Sequence, residues 1–282
     1  METIHELIEN YMNNQDKAIL GKIVEQLKTT DSLWSIKVRA TNNFYLGAEN
    51  EKPSAYLFTD KTFADNFLKD VKWGGIESKC LEIKADQRNA FFSDLYRSGF
   101  EAVTIDKGED FLVISLLSII EKENSEEAVM NPPLVRAANQ FYQELARKQA
   151  FKAMQDLLSR EIFKASFLVP VAGASEGEGR HLTERTAKQT YAVLSTQNGK
   201  KYLPVFTDWS EFAKYDKKKS CDAVLAGFGE LKKLLRKVDG IALNPFGFNL
   251  ILDGKKLENI QGMDGKAPEG KDGKVISLKD RR

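Results

Sequence analysis

The side chains able to do chemistry are few and scattered. The chain has two histidines, His5 and His181, and two cysteines, Cys80 and Cys221. A zinc site gathers several His or Cys ligands at short, regular spacing. Neither histidine has a second one at i+3 or i+4, and no cysteine is close in sequence to either. No metal site and no cofactor are therefore expected. A nucleophilic mechanism needs a Ser or Cys presented to an oriented imidazole. No Gly-x-Ser-x-Gly elbow occurs, and His5 falls in a helical stretch. Both cysteines precede amphipathic stretches, where a free thiol behaves as a small core residue. The inventory predicts a protein that is not an enzyme.

His181 is the one histidine placed in a loop, Gly173-Ala174-Ser175-Glu176-Gly177-Glu178-Gly179-Arg180-His181, between two expected strands. A phosphate-binding loop closes on Gly-Lys-Ser/Thr, so that amides and a lysine surround the anion. Here Gly177 precedes Glu178, Glu176 repels anions, and no glycine follows Gly179 at the spacing of a dinucleotide fingerprint. The loop reads as a connection, with Arg180, His181 and Arg185 as candidate contacts to an anionic ligand. Basic residues also cluster at Lys217–Lys219 and along 232–237. The second cluster shares a helical pattern with Leu231, Leu234, Leu235 and Val238, which makes its lysines a solvated face. Nucleic-acid binding brings a strongly basic domain with aromatics interleaved. That pattern is weak here, and nucleic acid is not an expected partner.

The most pronounced local motif is Phe-Thr-Asp, at Phe58-Thr59-Asp60 and again at Phe206-Thr207-Asp208. An apolar strand runs into each phenylalanine, and a helical stretch follows. Thr or Asp at such a junction accepts a hydrogen bond from the free amides of the helix that begins there. Thr59, Asp60, Thr207 and Asp208 are therefore read as helix caps. Glu211, three residues after Asp208, is placed to reach back and complete a capping box. The first motif has Phe63 at that place and keeps the cap without the box.

These motifs sit in a sequence that repeats itself. Trp34-Ser35-Ile36-Lys37-Val38 lines up with Phe167-Leu168-Val169-Pro170-Val171, and Cys80 and Cys221 take matching places downstream. Apolar segments 99–105 and 239–243 follow, and the last strands are expected at Phe111–Ile114 and Phe248–Leu252. Upstream, Ile4, Leu7, Tyr11, Leu20, Ile23 and Leu27 fall at the spacing of Val135, Ala138, Tyr142, Phe151, Met154 and Leu158, which places each set on one helical face. The fold class is α+β: two related units, each a helical segment plus a small mixed sheet flanked by helices. The first copy spans 1–120, an acidic linker 121–133 and the second copy 134–254. The linker ends at Asn131-Pro132-Pro133, a helix start. Residues 255–282 form a Gly/Lys-rich tail whose apolar island, Val275–Leu278, can add one edge strand.

Bulk properties agree with a globular chain. Its 282 residues are 42% hydrophobic and 29% charged, with a formal charge of +1. That charge is split, because residues 1–130 hold 15 Lys/Arg against 23 Asp/Glu and residues 131–282 hold 27 against 18. An acidic half and a basic half attract each other or an oppositely charged partner. An acidic start without an apolar run, no apolar stretch of membrane-spanning length and only two cysteines predict a cytoplasmic protein without a membrane partner.

The segment Lys201-Tyr202-Leu203-Pro204-Val205-Phe206-Thr207-Asp208-Trp209-Ser210-Glu211 carries a family resemblance. With Phe167–Val171 before it and Val238-Asp239-Gly240-Ile241-Ala242-Leu243-Asn244-Pro245-Phe246-Gly247 after it, it resembles the N-terminal domain of the bacterial enhanced serine sensitivity (SseB) family. The resemblance is good over 164–253 and weaker over 31–118, where Asp106-Lys107-Gly108-Glu109 stands in place of Asn-Pro-Phe-Gly. The domain that often follows in the family is expected to be replaced here by the tail. The resemblance implies a role near serine or amino-acid metabolism and supplies no catalytic residues. The expected function is a non-enzymatic interaction or regulatory protein with a protein partner. The alternative is a sensor holding a small metabolite near the 173–185 loop or between the copies.

Overall fold

A computed structural model describes residues 2–120, 129–173, 181–184, 186, 189–235 and 238–262. The fold is α+β, and the chain divides into two compact units. Unit 1 comprises residues 1–124 with Gln143–Arg147; unit 2 comprises 125–142 and 148–282.

Unit 1 opens with helix α1 (Ile4–Asn14), started by a reciprocal box between Thr3 and Glu6, and α2 (Lys17–Thr29), capped by Asp16. Strand β1 (Ser32–Val38) follows, then short β2 (Asn43–Phe44) and β3 (Gly47–Glu49), and β4 (Lys52–Phe58). Helix α3 (Lys61–Trp73), β5 (Ser78–Lys84), α4 (Arg88–Arg97), β6 (Ala102–Ile105) and β7 (Leu112–Ser115) complete it. The main path through the sheet is β5-β1-β4-β6-β7. Only β4 and β6 run parallel; the remaining pairs are antiparallel. Helices α1, α2 and α4 bury Leu7, Ile8, Ile23, Leu27, Phe92 and Leu95 with one sheet face. Helix α3 covers the other through Ala64 and Val71, together with Tyr56 and Phe58. A strand covered on both faces buries every side chain, as in Ser54 to Phe58, where the Ser54 hydroxyl is bonded to that of Thr104.

Unit 2 contains α5 (Pro132–Ala146) as far as Tyr142, α6 (Lys152–Lys164), β8 (Ser166–Ala172), β9 (Leu194–Ser195) and β10 (Lys201–Val205). Then come α7 (Trp209–Tyr215), β11 (Cys221–Gly227), α8 (Phe228–Leu234), β12 (Gly240–Leu243), β13 (Leu250–Asp253) and α9 (Gly254–Gln261). Strands β11 and β8 pair along seven residues, β13-β12-β10-β9 form a second ladder, and a Leu168–Phe206 bridge joins the two. The path β11-β8-β10-β12-β13 thus has the order of β5-β1-β4-β6-β7, again with a single parallel pair, β10 with β12.

Pairing corrects the sequence alignment of these strands. Trp34 faces Phe58 and Leu168 faces Phe206, so Trp34 corresponds to Leu168 and not to Phe167. A slip of one residue exchanges the faces of a strand, so the distinction decides which side chains are inside. The cysteines do not correspond either. Cys80 faces Ile36 and takes the place of Ala223, whereas Cys221 faces Ala172 and takes the place of Ser78.

The tail begins later than expected. Gly254–Gln261 is helical because Asp253 caps it, accepting from the Lys256 amide, and because Leu257 and Ile260 are buried at i, i+3 spacing. The Val275–Leu278 island lies outside the described residues. Among the described residues, no helix is long and apolar enough to cross a membrane.

One buried side chain breaks the pattern. Asn139 of α5 is fully buried, and among the described residues neither its Oδ1 nor its Nδ2 has a hydrogen-bond partner. On the helical spacing above, its counterpart in α1 is the buried Ile8. An enclosed amide without partners costs on the order of 1–3 kcal/mol. Asn139→Leu is expected to stabilise the protein by about 1–2 kcal/mol, seen as a higher urea midpoint at unchanged slope. A lower midpoint would show that the amide is satisfied in solution.

Candidate functional site

Both strand-to-helix junctions are built around a residue in left-handed backbone conformation just beyond the parallel partner strand. In unit 1 this is Asp106 (φ 56°) and in unit 2 Asn244 (φ 45°). Asp and Asn tolerate this conformation better than other residues with a Cβ because their short polar groups bond locally. Asp106 Oδ1 accepts from the Thr59 amide at 2.7 Å, and Oδ2 accepts from the Thr59 hydroxyl at 2.7 Å. Asn244 Oδ1 accepts from the Thr207 amide at 3.0 Å, while its Nδ2 donates to the Thr207 hydroxyl at 2.8 Å. Asp106, Thr207 and Asn244 are all buried.

The sequence reading treats threonine and aspartate alike as caps; the structure divides the work. Asp60 caps α3, accepting from the Thr62 amide at 2.6 Å, and Asp208 caps α7, accepting from the Ser210 and Glu211 amides at 3.0 Å. Thr59 and Thr207 instead latch the strand end to Asp106 and Asn244. The Thr62 hydroxyl and amide hold the Asp60 carboxyl below its ordinary pKa. Its contribution is therefore complete above the ordinary aspartate range and disappears as pH falls through the lowered folded value. The Glu211 carboxylate lies against Gly247 and pairs with Lys214. A Cβ at Gly247 would meet Glu211 Oε2 at 2.7 Å, so a side chain there would push the Glu211 carboxylate aside.

Unit 1 adds a histidine to its latch. His5 Nδ1 is 3.1 Å from Asp106 Oδ2, its ring packs on Phe63, and Nε2 is 3.7 Å from Glu9 Oε1. Thr, Asp and His thus meet, but in the wrong order for a nucleophilic triad. The Thr59 hydroxyl donates to the carboxylate and makes no contact with an imidazole base, so nothing activates it. The arrangement fastens α1 to the sheet.

Of the three candidate ligand contacts, Arg180 and Arg185 lie outside the described residues. His181 runs beside β11: its carbonyl accepts from the Ala223 amide at 3.0 Å, and Leu182 bridges Ala223. Its Nε2 is enclosed and has no hydrogen-bond partner among the described residues. Among the described residues, no group of three or more His, Cys, Asp or Glu is placed to hold a metal.

Burial raises the pKa of both thiols, Cys80 and Cys221, above the ordinary cysteine value. The reactive species is the thiolate, so both are expected to react several-fold more slowly than free cysteine with Ellman's reagent near pH 8. Reaction as fast as free cysteine would mean that the strands open readily.

The second unit can be compared with known proteins on this basis. Residues 135–259 match the SseB protein N-terminal domain. That part of the chain is an SseB-type N-terminal domain. The matched span runs from within α5 to within α9 and includes the Thr207–Asn244 latch. No curated protein matches the chain. Two solved structures are similar in part to this chain. Tic22 from Plasmodium falciparum is 15% identical, with 74% of this chain and 84% of that one covered and a TM-score of 0.19. Anabaena Tic22 (protein transport) is 10% identical, with 85% and 96% covered and a TM-score of 0.20. Scores of this size do not establish a shared fold.

Sequence reasoning did not find Asp106 or Asn244 as partners of the threonines, nor His5 as a partner of Asp106. The one available signal was positional: Asp106 and Asn244 each follow the last residue of an apolar strand in the same place.

Proposed function

We propose that this protein is a non-enzymatic interaction or regulatory protein of the cytoplasm, acting through its surface near serine or amino-acid metabolism. The two units are read as diverged copies of one module, in keeping with their common strand order. The observation that carries the functional reading is how the junction polar groups are spent. Asp106, Asp208 and Asn244 give their oxygens to neighbouring amides and hydroxyls, so their chemistry is used in holding the fold. Large apolar side chains meanwhile stand exposed on unit 2, among them Leu182, Leu225 and Phe246. Isolation of the tagged full chain from its own cells at about 150 mM salt, where weak surface attractions are screened, tests this reading. A protein partner near 1:1 is the expected result; a chain recovered alone would overturn it.

The enclosed Nε2 of His181, without a hydrogen-bond partner among the described residues, favours a second reading, a sensor that binds a small anionic metabolite beside that residue. A ligand bound only by the folded protein raises its melting temperature. Serine, cysteine and related metabolites at millimolar concentration are the ligands to screen. No shift with any of them would dismiss this reading.

A further inference from the structure

The turn after β12 presents an aromatic side chain outward on a rigid base. Asn244 anchors its first residue to Thr207, and its carbonyl accepts from the Gly247 and Asn249 amides at 2.9 and 3.0 Å. Gly247 lies directly on Glu211. At the tip Phe246 is 47% exposed, with its ring 6.3 Å from that of Tyr215, which in turn rests on Phe206. The equivalent turn of unit 1 exposes Gly108, Glu109 and Asp110 in place of an aromatic, and Lys107 lies over the Phe111 ring and pairs with Glu49. An aromatic anchor held by a preorganised turn loses little freedom on binding, which is what makes such residues dominate interfaces.

The charge beside this anchor is basic. Lys214 lies one residue before Tyr215, and Lys217, Lys218 and Lys219 follow in an exposed turn. That turn is itself fixed, because Asp216 accepts from the Ser220 amide and hydroxyl and from the Cys221 amide. Building on the interaction reading, we infer that Phe246, Tyr215 and the adjoining lysines form a docking surface for an acidic protein segment carrying an apolar side chain. Apolar contact supplies the anchor, and carboxylates complement the lysines. Nucleic acid fits less well. Its affinity comes from neutralising many phosphates, and this chain has a formal charge of +1 and one short lysine run at the site.

The test is fluorescence anisotropy of the full chain with a labelled octapeptide of glutamates around a central Leu-Phe pair. Saturable binding is expected, weakened at least about tenfold by Phe246→Ala and again by Lys218→Glu, with the melting temperature little changed. A control peptide with lysines for glutamates is expected not to bind. Binding unaffected by Phe246→Ala, tighter binding of a single-stranded oligonucleotide, or no peptide binding would each overturn the inference. Recovery of a cellular partner equally by wild type and Phe246→Ala would leave the interaction reading standing and remove this surface from it. Recovery by neither would count against the interaction reading itself.

Discussion

Replacing Arg88 by methionine is expected to destabilise unit 1 by about 3–5 kcal/mol, the largest effect of any single substitution proposed for this protein. Arg88 opens α4 and is only 1% exposed. Its guanidinium donates to the carbonyls of Leu27 at 2.5 Å, Thr30 at 2.9 Å and Ile83 at 3.1 Å. Two of these acceptors close the C-terminal turn of α2, where carbonyls lack intrahelical partners and the helix dipole favours a cation. The third belongs to β5. One side chain therefore joins a helix end to a sheet edge. Burial lowers its pKa, which records the cost of enclosing the charge. Methionine fills similar space and leaves three carbonyls without donors. In unit 2 the start of α8 resembles that of α4: Glu230 accepts from the Gly227 amide as Gln87 does from Lys84. The residue in the place of Arg88 there is the buried Leu231. The fold thus accepts an apolar residue at this position when the neighbouring carbonyls do not depend on it. Urea unfolding measures the loss, and a cost below about 1 kcal/mol would mean that water can replace the guanidinium.

A change of one atom is expected to cost about 2–3 kcal/mol at the other junction. Asn244 and Asp106 hold equivalent places, and Asn244→Asp would seem to copy unit 1 into unit 2. The hydroxyl hydrogens say otherwise. Thr59 gives its proton to Asp106 and to no other acceptor among the described residues, so its hydroxyl can turn to accept from an amide placed there. Thr207 gives its proton to Asp208 Oδ2 at 2.7 Å, so the group facing its oxygen from residue 244 must donate. A carboxylate at 244 would bring two lone pairs together and place a second negative charge beside the buried Asp208. Asn244→Asp is therefore expected to lower the melting temperature clearly, whereas the isosteric Asp106→Asn keeps an acceptor for the Thr59 amide and costs less. Equal losses for the two substitutions would contradict this assignment of donors.

Much of the architecture was legible because it is written locally. The run Tyr56–Asp60 and its counterpart Leu203–Asp208 give a strand entering a helix cap, and both end in helices begun by Asp60 and Asp208. The matched span 135–259 contains the 164–253 segment whose resemblance was read from residues. What stayed hidden depends on contacts distant in sequence. Thr59 reaches Asp106 across 47 residues and Thr207 reaches Asn244 across 37, and neither pair leaves a periodic trace. Arg88 lies in a polar stretch, and only the fold shows that it faces the end of α2. The one-residue offset between Trp34 and Leu168 escaped because Phe167 to Ala172 is apolar at every position, so composition cannot fix the register against β1. Helix α9 was hidden by its lysines and glycine, although Asp253 with Leu257 and Ile260 already gives a cap and one apolar face.

On the proposed function, this chain works through its surface and unit 2 carries the partner. Photo-crosslinking in the host's own cells tests this most directly, with p-benzoylphenylalanine placed in turn at Leu182, Leu225 and Phe246 of unit 2 and at Leu117 of unit 1. All four side chains are exposed and apolar, so each site offers the probe comparable access. A single discrete protein adduct from one or more unit 2 positions, absent from Leu117, is the predicted result. No discrete adduct at any unit 2 position, or the same smear from all four, would contradict it.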